Sequence, residues 1–324
     1  MENFPFNLDE IISPNVMDFD KLAKEVMNYQ LKNNPVYAEY YDLVKQRLLA
    51  EYCFLPIQFF KSHRVISAHL SEEISFSSSA TGGFGKSQHH VVDLSLYEKS
   101  FSTAFESFYG KASDYIILAL LPAYLERNGS SLVYMAEKLI AATGHELSGF
   151  YLYDFERLAA NLLLAKESGK KVLLLGVSFA LMDFAESFPI SFPELIIMET
   201  GGMKGRKAEI TRKELHSILM NSFHVSAIHS EYGMTEMLSQ AYSSKDGMYT
   251  PAASLKIVIT DAHDPFRLLP NGKSGIINVI DLTNVHSCSF IQTSDIGIVH
   301  DNGQFEVLGR MDNSELRGCS LMHI

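Results

Sequence analysis

A chain of 324 residues that is 47% hydrophobic and 20% charged can bury a large core, which excludes bulk disorder and points to one large domain or two fused lobes. Its formal charge of −11, carried without a basic block, excludes the clustered lysines and arginines that nucleic-acid backbones require. Cys53, Cys288 and Cys319 lie far apart with no Cys-x-x-Cys pair, and neither a signal peptide nor an apolar run of membrane-spanning length is expected, so the expected setting is a reducing cytoplasm.

Residues 15–60 read as helices, with Leu43, Val44, Leu48, Leu49 and Cys53 recurring at helical spacing. Cys53 reads as a small core residue. From about Ser71, strands alternate with helices. Ser95 and Glu98 form a predicted capping box, followed by an apolar face of Tyr97, Phe101, Ala104, Phe105 and Phe108. Tyr115–Leu121 is an unbroken apolar run that predicts a buried strand. Asp154 is placed to cap a helix that turns Leu158, Leu162 and Ala165 inward. Val172–Leu175 and Leu195–Met198 read as strands. Thr211 and Glu214 form a second capping box opening a helix through Leu219, and Val225–Ile228 reads as a further strand. This alternation predicts an α/β fold of layered, mainly parallel sheets with helices.

After Pro251 the pattern changes. Leu255–Thr260, Gly275–Asp281, Phe290–Val299 and Phe305–Leu308 read as strands, with turns at Asn271-Gly272 and Asn302-Gly303. They predict a small antiparallel sheet or barrel appended to the α/β part. The expected organisation is an N-terminal helical part over 1–70, an α/β core over 71–250, and a small antiparallel β subdomain with a tail over 251–324.

Three stretches carry chemistry. The first runs Ser77-Ser78-Ser79-Ala80-Thr81-Gly82-Gly83-Phe84-Gly85-Lys86-Ser87. Small residues let such a loop approach a polyphosphate, hydroxyls and backbone N–H groups donate to its oxygens, and Lys86 neutralises charge. The P-loop of kinases and GTPases would need glycine where Ala80 stands, and serines rather than an apolar strand precede the loop. A plain surface loop is the remaining alternative. The second stretch is Ser230-Glu231-Tyr232-Gly233-Met234-Thr235-Glu236, whose aromatic ring can stack on adenine, whose hydroxyl can hold a phosphate and whose carboxylate can hold Mg²⁺. The third is Thr293-Ser294-Asp295-Ile296-Gly297, followed twelve residues after Gly297 by Gly309-Arg310-Met311-Asp312. A carboxylate there can accept both ribose hydroxyls and an arginine can support ribose or phosphate.

In this order the stretches resemble the adenylate-forming superfamily of acyl-CoA synthetases, luciferases and nonribosomal adenylation domains, over roughly residues 70–318. Within it the chain is most similar to the LuxE-type acyl-protein synthetases. Leu121-Pro122-Ala123-Tyr124-Leu125-Glu126-Arg127 with Ser130-Ser131-Leu132, Glu199-Thr200-Gly201-Gly202-Met203-Lys204-Gly205-Arg206, and Leu316-Arg317-Gly318-Cys319-Ser320 carry that likeness.

The resemblance implies the fold of a superfamily N-terminal domain without the usual mobile C-terminal domain and its lysine. It implies activation of a fatty or other carboxylic acid with ATP and Mg²⁺, then acyl transfer to a protein thiol and onward to an acyl-accepting protein such as an acyl-group reductase. Ser78, Ser79, Thr81, Gly82, Gly83 and Lys86 would lie on the phosphate loop, and Gly201 and Gly202 beside adenine and acyl groups. Tyr232 and Gly233 would meet the nucleotide, Thr235 the phosphate and Glu236 the Mg²⁺, with Asp295 and Arg310 on the ribose. Cys319 stands where the acyl-protein synthetases carry their acyl-accepting cysteine. The chain departs from the usual loop at Ala80, where glycine is expected, and at Gly82, where threonine is expected. An acyl-CoA ligase of phenylacetate type and a non-catalytic scaffold relative are the other readings. His89 and His90 read as surface or packing histidines rather than bases, and His224, His229, His263 and His286 show no metal-ligand spacing.

Overall fold

The computed structural model describes residues 5–14, 18–49, 51–78, 85–122, 129–201 and 210–311. The chain opens with helices α1 (Leu8–Ile12), α2 (Phe19–Asn33) and α3 (Pro35–Val44). Asn34 ends α2 and starts α3: its side chain accepts from the Tyr37 N–H at 3.1 Å, and Pro35 follows at the first helical position. The helical spacing expected to continue through Cys53 stops at Val44, leaving Leu43 and Leu49 exposed. Extended pairing wins beyond it, because strand β1 (Leu55–Pro56) docks in parallel on residues 291–292. Cys53 is nonetheless a buried core residue, as expected.

One-turn helix α4 (Phe59–Ser62) leads to a hairpin of β2 (Ile74–Ser77) and β3 (Gln88–Val91). The α/β part follows: α5 (Leu94–Tyr109), β4 (Tyr115–Leu120), α6 (Ser131–Thr143), β5 (Gly149–Phe150), α7 (Phe155–Glu167), β6 (Lys171–Val177), α8 (Ser178–Ser187), β7 (Ile196–Thr200), α9 (Arg212–Phe223) and β8 (His229–Tyr232). The chain closes with β9 (Ala241–Ser243), β10 (Met248–Pro251), β11 (Leu255–Thr260), β12 (Ser274–Asp281), β13 (Phe290–Val299) and β14 (Phe305–Arg310).

Asp154 caps α7, and Thr211 with Glu214 forms the expected capping box of α9. The α5 cap differs from expectation. Asp93 accepts from the Leu96 N–H at 3.0 Å, and Ser95 donates its hydroxyl to Asp93. A carboxylate attracts helix-start N–H groups more strongly than a hydroxyl does, so the acid two residues upstream takes the role. Glu98 turns instead to Lys138, at 2.8 Å, and to Tyr134. The strand expected at Val225–Ile228 forms four residues later, at His229–Tyr232, so Ser230, Glu231 and Tyr232 lie within it.

One twelve-stranded mixed sheet results, in the order β11-β12-β13-β14-β10-β9-β8-β7-β6-β4-β5, with β1 added alongside β13. Strands β5, β4, β6, β7 and β8 run parallel, and from β9 to β14 the pairing is antiparallel, with β1 alone added in parallel to β13. The fold is thus α/β with a mainly parallel core and a small antiparallel part, as the sequence pattern predicts. Asn302-Gly303 turns the β13–β14 hairpin, whereas Asn271-Gly272 ends a longer connection that bridges back to Thr260 through Leu268. Two apolar cores lie on this frame. One joins β4, β6 and β7 to the helices around them, and the other joins the N-terminal helices to β11–β14. Gln30, buried on α2, ties the second together by donating to the carbonyls of Asn284 and Val285 and accepting from the Ser289 N–H.

Gly297 follows a register shift in the β13–β14 pair, and a Cβ there would stand 2.3 Å from the Glu306 carbonyl oxygen and 2.6 Å from Ile277. The glycine of the Asp-Ile-Gly stretch is therefore required by close strand approach. Gly297→Ala should destabilise the fold by about 1–3 kcal/mol, the range for overpacking a tight site. Urea unfolding checks this, and an unchanged midpoint would contradict it.

Candidate active site

The sheet changes from parallel to antiparallel between β8 and β9, and the residues leaving β8 enter the space beyond the C-terminal ends of the parallel strands. Open α/β sheets bind ligands at such edges. Tyr232 ends β8 with its ring buried, tilted against Tyr249 at 5.8 Å and edge-on to Phe305 at 5.4 Å. Its hydroxyl donates to Asp295 Oδ2 at 3.0 Å. Burial and the Asp295 carboxylate both push the phenol pKa well above its ordinary value.

Asp295 and Arg310 are directly opposed in the β13–β14 pair, with Arg310 Nε 3.9 Å from the carboxylate. Burial raises the Asp295 pKa, while Arg310 and Tyr232 oppose the shift. Next to it, Gln58 donates to Ser294 Oγ at 3.1 Å. Sheet register thus unites the second and third stretches with a segment more than two hundred residues upstream.

The turn beyond Tyr232 brings in the first stretch. Glu236 is buried, which pushes its pKa up, and Ser87, Arg310 and Lys61 counter that shift. Ser87 belongs to the neck of the small-residue loop: its N–H donates to Ser78 Oγ and the Ser78 N–H donates to its carbonyl, both at 3.0 Å. Ser78, Ser87 and Glu236 therefore meet, and Lys86 beside them is exposed. Ser79, Thr81, Gly82 and Gly83 lie outside the described residues, as do Gly202 and Cys319. Thr235 is half-buried and its carbonyl is held by His89 at 2.8 Å.

Gly233 is exposed, and a Cβ on it would stand 2.5 Å from Glu231 Oε1, so a side chain there would push the Glu231 carboxyl aside. Gly201 follows β7, and its carbonyl accepts from Ser178 Oγ at 2.7 Å. Below these two glycines lie two buried acids on opposite faces of the β7–β8 pair, as the alternation of strand side chains requires. Glu199 accepts from Ser178 at 3.1 Å and Ser230 at 2.9 Å, with Arg212 and His216 each 3.5 Å away. Burial works against its ionisation, but His216, Arg212 and Ser230 outweigh burial and hold its pKa below the ordinary value. Glu231 accepts from the Thr200 hydroxyl. Burial drives its pKa up to about 7, with Thr200 opposing and the Glu199 carboxylate adding to the rise.

Lys61 and His89 are neighbours that sequence reasoning did not place in the site, while Ser87, Glu199 and Glu231 stood in the quoted stretches without a role of their own. Lys61 sits on the one-turn helix α4, far from any motif. Among the described residues, no helix is long and apolar enough to cross a membrane.

Comparison with known proteins places this geometry. The family described as acyl-protein synthetase, LuxE, matches residues 19–323. A long-chain-fatty-acid–luciferin-component ligase of Vibrio harveyi is 27% identical over 189 residues, which cover 52% of this chain and 48% of that protein. The ligase of the same description from Aliivibrio fischeri is 24% identical over 189 residues, covering 52% and 49%. The chain spans about half the length of the curated relatives it matches. Among solved structures, a 2-hydroxyisobutyryl-CoA ligase in complex with 2-HIB-AMP and CoA superposes with a TM-score of 0.66 at 11% identity, over 97% of this chain and 80% of that one. ATP-bound MatB from Rhodopseudomonas palustris gives a TM-score of 0.55 at 18% identity, over 73% and 47%. The fold is that of the N-terminal domain of adenylate-forming ligases.

The Glu231 carboxyl gives a pH test of this site. A buried acid whose folded pKa lies above its unfolded value of 4.5 binds more protons folded than unfolded, so its contribution to stability falls as pH rises from about 4.5 to about 7. Glu231→Gln removes that fall. The variant should match the wild type near pH 4.5 and exceed it by roughly 3 kcal/mol at pH 8, since one pKa unit corresponds to about 1.4 kcal/mol. Urea unfolding at both pH values measures the difference, and a difference that does not change with pH would contradict the assignment.

Proposed function

The chain belongs to the LuxE acyl-protein synthetase family, and from that membership we propose that it activates a carboxylic acid with ATP, in the first instance a fatty acid, and passes the acyl group to a thiol. The observation that carries the reading is the meeting of Tyr232, Asp295, Arg310, Glu236 and Ser87 from three separate stretches at one edge of the sheet. The names of the Vibrio harveyi and Aliivibrio fischeri relatives support a long-chain fatty acid as substrate.

In the first step a carboxylate oxygen attacks the α-phosphorus of ATP. The bond to the β-phosphate oxygen breaks, giving acyl-AMP and pyrophosphate. Such a step depends on positioning and on stabilising charge. Lys86 and the hydroxyls of the Ser78–Ser87 loop would hold the leaving phosphates, Arg310 and Lys61 would add positive charge nearby, and Thr235 would donate to the α-phosphate. Tyr232 and Gly233 would form the adenine wall, with Gly201 and Gly202 beside them. Asp295 would accept the ribose hydroxyls.

Mg²⁺ keeps mostly phosphate and water ligands and needs only one or two carboxylates, so Glu236 would hold it and the ion would neutralise phosphate charge. In the second step the Cys319 thiolate would attack the acyl carbonyl, forming a thioester and releasing AMP. A protein acceptor, such as an acyl-group reductase, would then take the acyl group.

Two measurements test the reading. Asp295→Ala should weaken ATP binding by about 1.5–3 kcal/mol, the value of a hydrogen bond to a charged group. Unchanged affinity by calorimetry would remove the ribose site. Cys319→Ser should still release pyrophosphate once per site yet form no hydroxylamine-sensitive acyl-protein by intact mass. An undiminished adduct, or a thioester on Cys53 or Cys288, would remove Cys319 from the pathway.

A further inference from the structure

His89 stands in β3, and Ser87, whose side chain meets Glu236, immediately precedes that strand. The His89 ring is fully buried, edge-on to Phe60 at 5.8 Å. Its Nδ1 lies 2.8 Å from the Thr235 carbonyl oxygen, so an N–H there donates to the turn. Its Nε2 lies 2.9 Å from Asn284 Oδ1, an acceptor that the Nδ1-protonated ring packs against without donating to it, and the same Asn284 side chain donates through Nδ2 to the Glu236 carbonyl at 2.8 Å.

With its proton on Nδ1, the imidazole therefore holds the Thr235 carbonyl directly, while Asn284, packed against Nε2, holds the Glu236 carbonyl. Packing alone would be served better by an apolar ring, since burying an imidazole costs free energy unless its N–H finds a partner. Here that partner is the Thr235 carbonyl on the turn. The tether also has a fixed anchor, because β3 is the returning arm of the hairpin whose tip is the small-residue loop.

We propose that His89 is a positioning residue, which sets the Thr235–Glu236 turn at a fixed distance from the Ser78–Ser87 hairpin and so aligns the two halves of the phosphate site. The proposal rests on the adenylating role given to that turn. It differs from a packing role in requiring a hydrogen-bond donor at the place of Nδ1.

Comparison of His89→Asn, His89→Gln and His89→Leu tests it. The asparagine amide falls near Nδ1 and can reproduce the bond to Thr235, whereas the glutamine amide falls near Nε2 and cannot. His89→Asn should keep pyrophosphate release with ATP and saturating acid within about fivefold of wild type, the scale of one neutral hydrogen bond. His89→Gln and His89→Leu should lower kcat by about 10²-fold, the scale of a misplaced reacting group. In those two variants, amide hydrogen exchange should accelerate across residues 233–239 while peptides of β4 and β6 keep wild-type protection.

Equal losses in the asparagine and glutamine variants that track their melting temperatures would overturn the proposal, as would full turnover with wild-type exchange in His89→Leu. If the wild type itself releases no pyrophosphate with any acid, the adenylating reading fails. The exchange pattern then still decides whether His89 tethers the turn.

Discussion

The Asp281 carboxylate has no exposure to solvent and accepts from four donors. The N–H groups of Leu238 and Ser239 reach one oxygen at 2.7 and 3.0 Å, and the hydroxyls of Ser239 and Thr283 reach the other, both at 2.7 Å. Leu238 and Ser239 belong to the segment that returns from the Tyr232–Glu236 turn to β9, while Asp281 ends β12. A buried carboxyl group left without these donors would be costly, so the returning segment and β12 keep this arrangement. That constraint fixes where the turn carrying Thr235 and Glu236 returns to the sheet. The turn leaves β8 at Gly233 and comes back at a point fixed from the antiparallel half of the sheet. Glu236, on that turn, then meets Ser87 and lies near Arg310.

The same seam pairs its buried acids although the chain as a whole is acidic. Glu199, Glu231 and Asp281 are buried close to the strand ends, but hydroxyls and backbone N–H groups satisfy much of their need, and Arg212 and His216 stand by Glu199. Arg310 and Lys86 remain exposed. Local potential at a cleft follows nearby charges more than net charge, so these cations and Lys61 can act against a formal −11.

Much of this was legible in the sequence because local chemistry and tertiary fold agree there. Asp154 and the Thr211–Glu214 box cap the helices they announce, and Tyr115–Leu120 is the buried strand its apolar run implies. Legibility failed where competing partners were remote. Ser95 lost its cap to Asp93, and the helical spacing from Leu43 to Cys53 gave way to pairing between β1 and β13. The motif residues were visible as stretches, but their meeting was not, since strand register alone sets Asp295 against Arg310 and a hydrogen bond alone joins Tyr232 to Asp295. Glu231 was visible only as a letter between serine and tyrosine, and its raised pKa arises from burial that no local pattern encodes.

The central claim is that this edge of the sheet makes an acyl-adenylate. Exchange of labelled pyrophosphate into ATP, followed over a series of carboxylic acids of increasing chain length, tests it most directly because it reports the first chemical step alone. The account predicts exchange that requires the acid and Mg²⁺ and is strongest with long-chain fatty acids. Exchange absent with every acid, in a protein that still binds ATP, would contradict it.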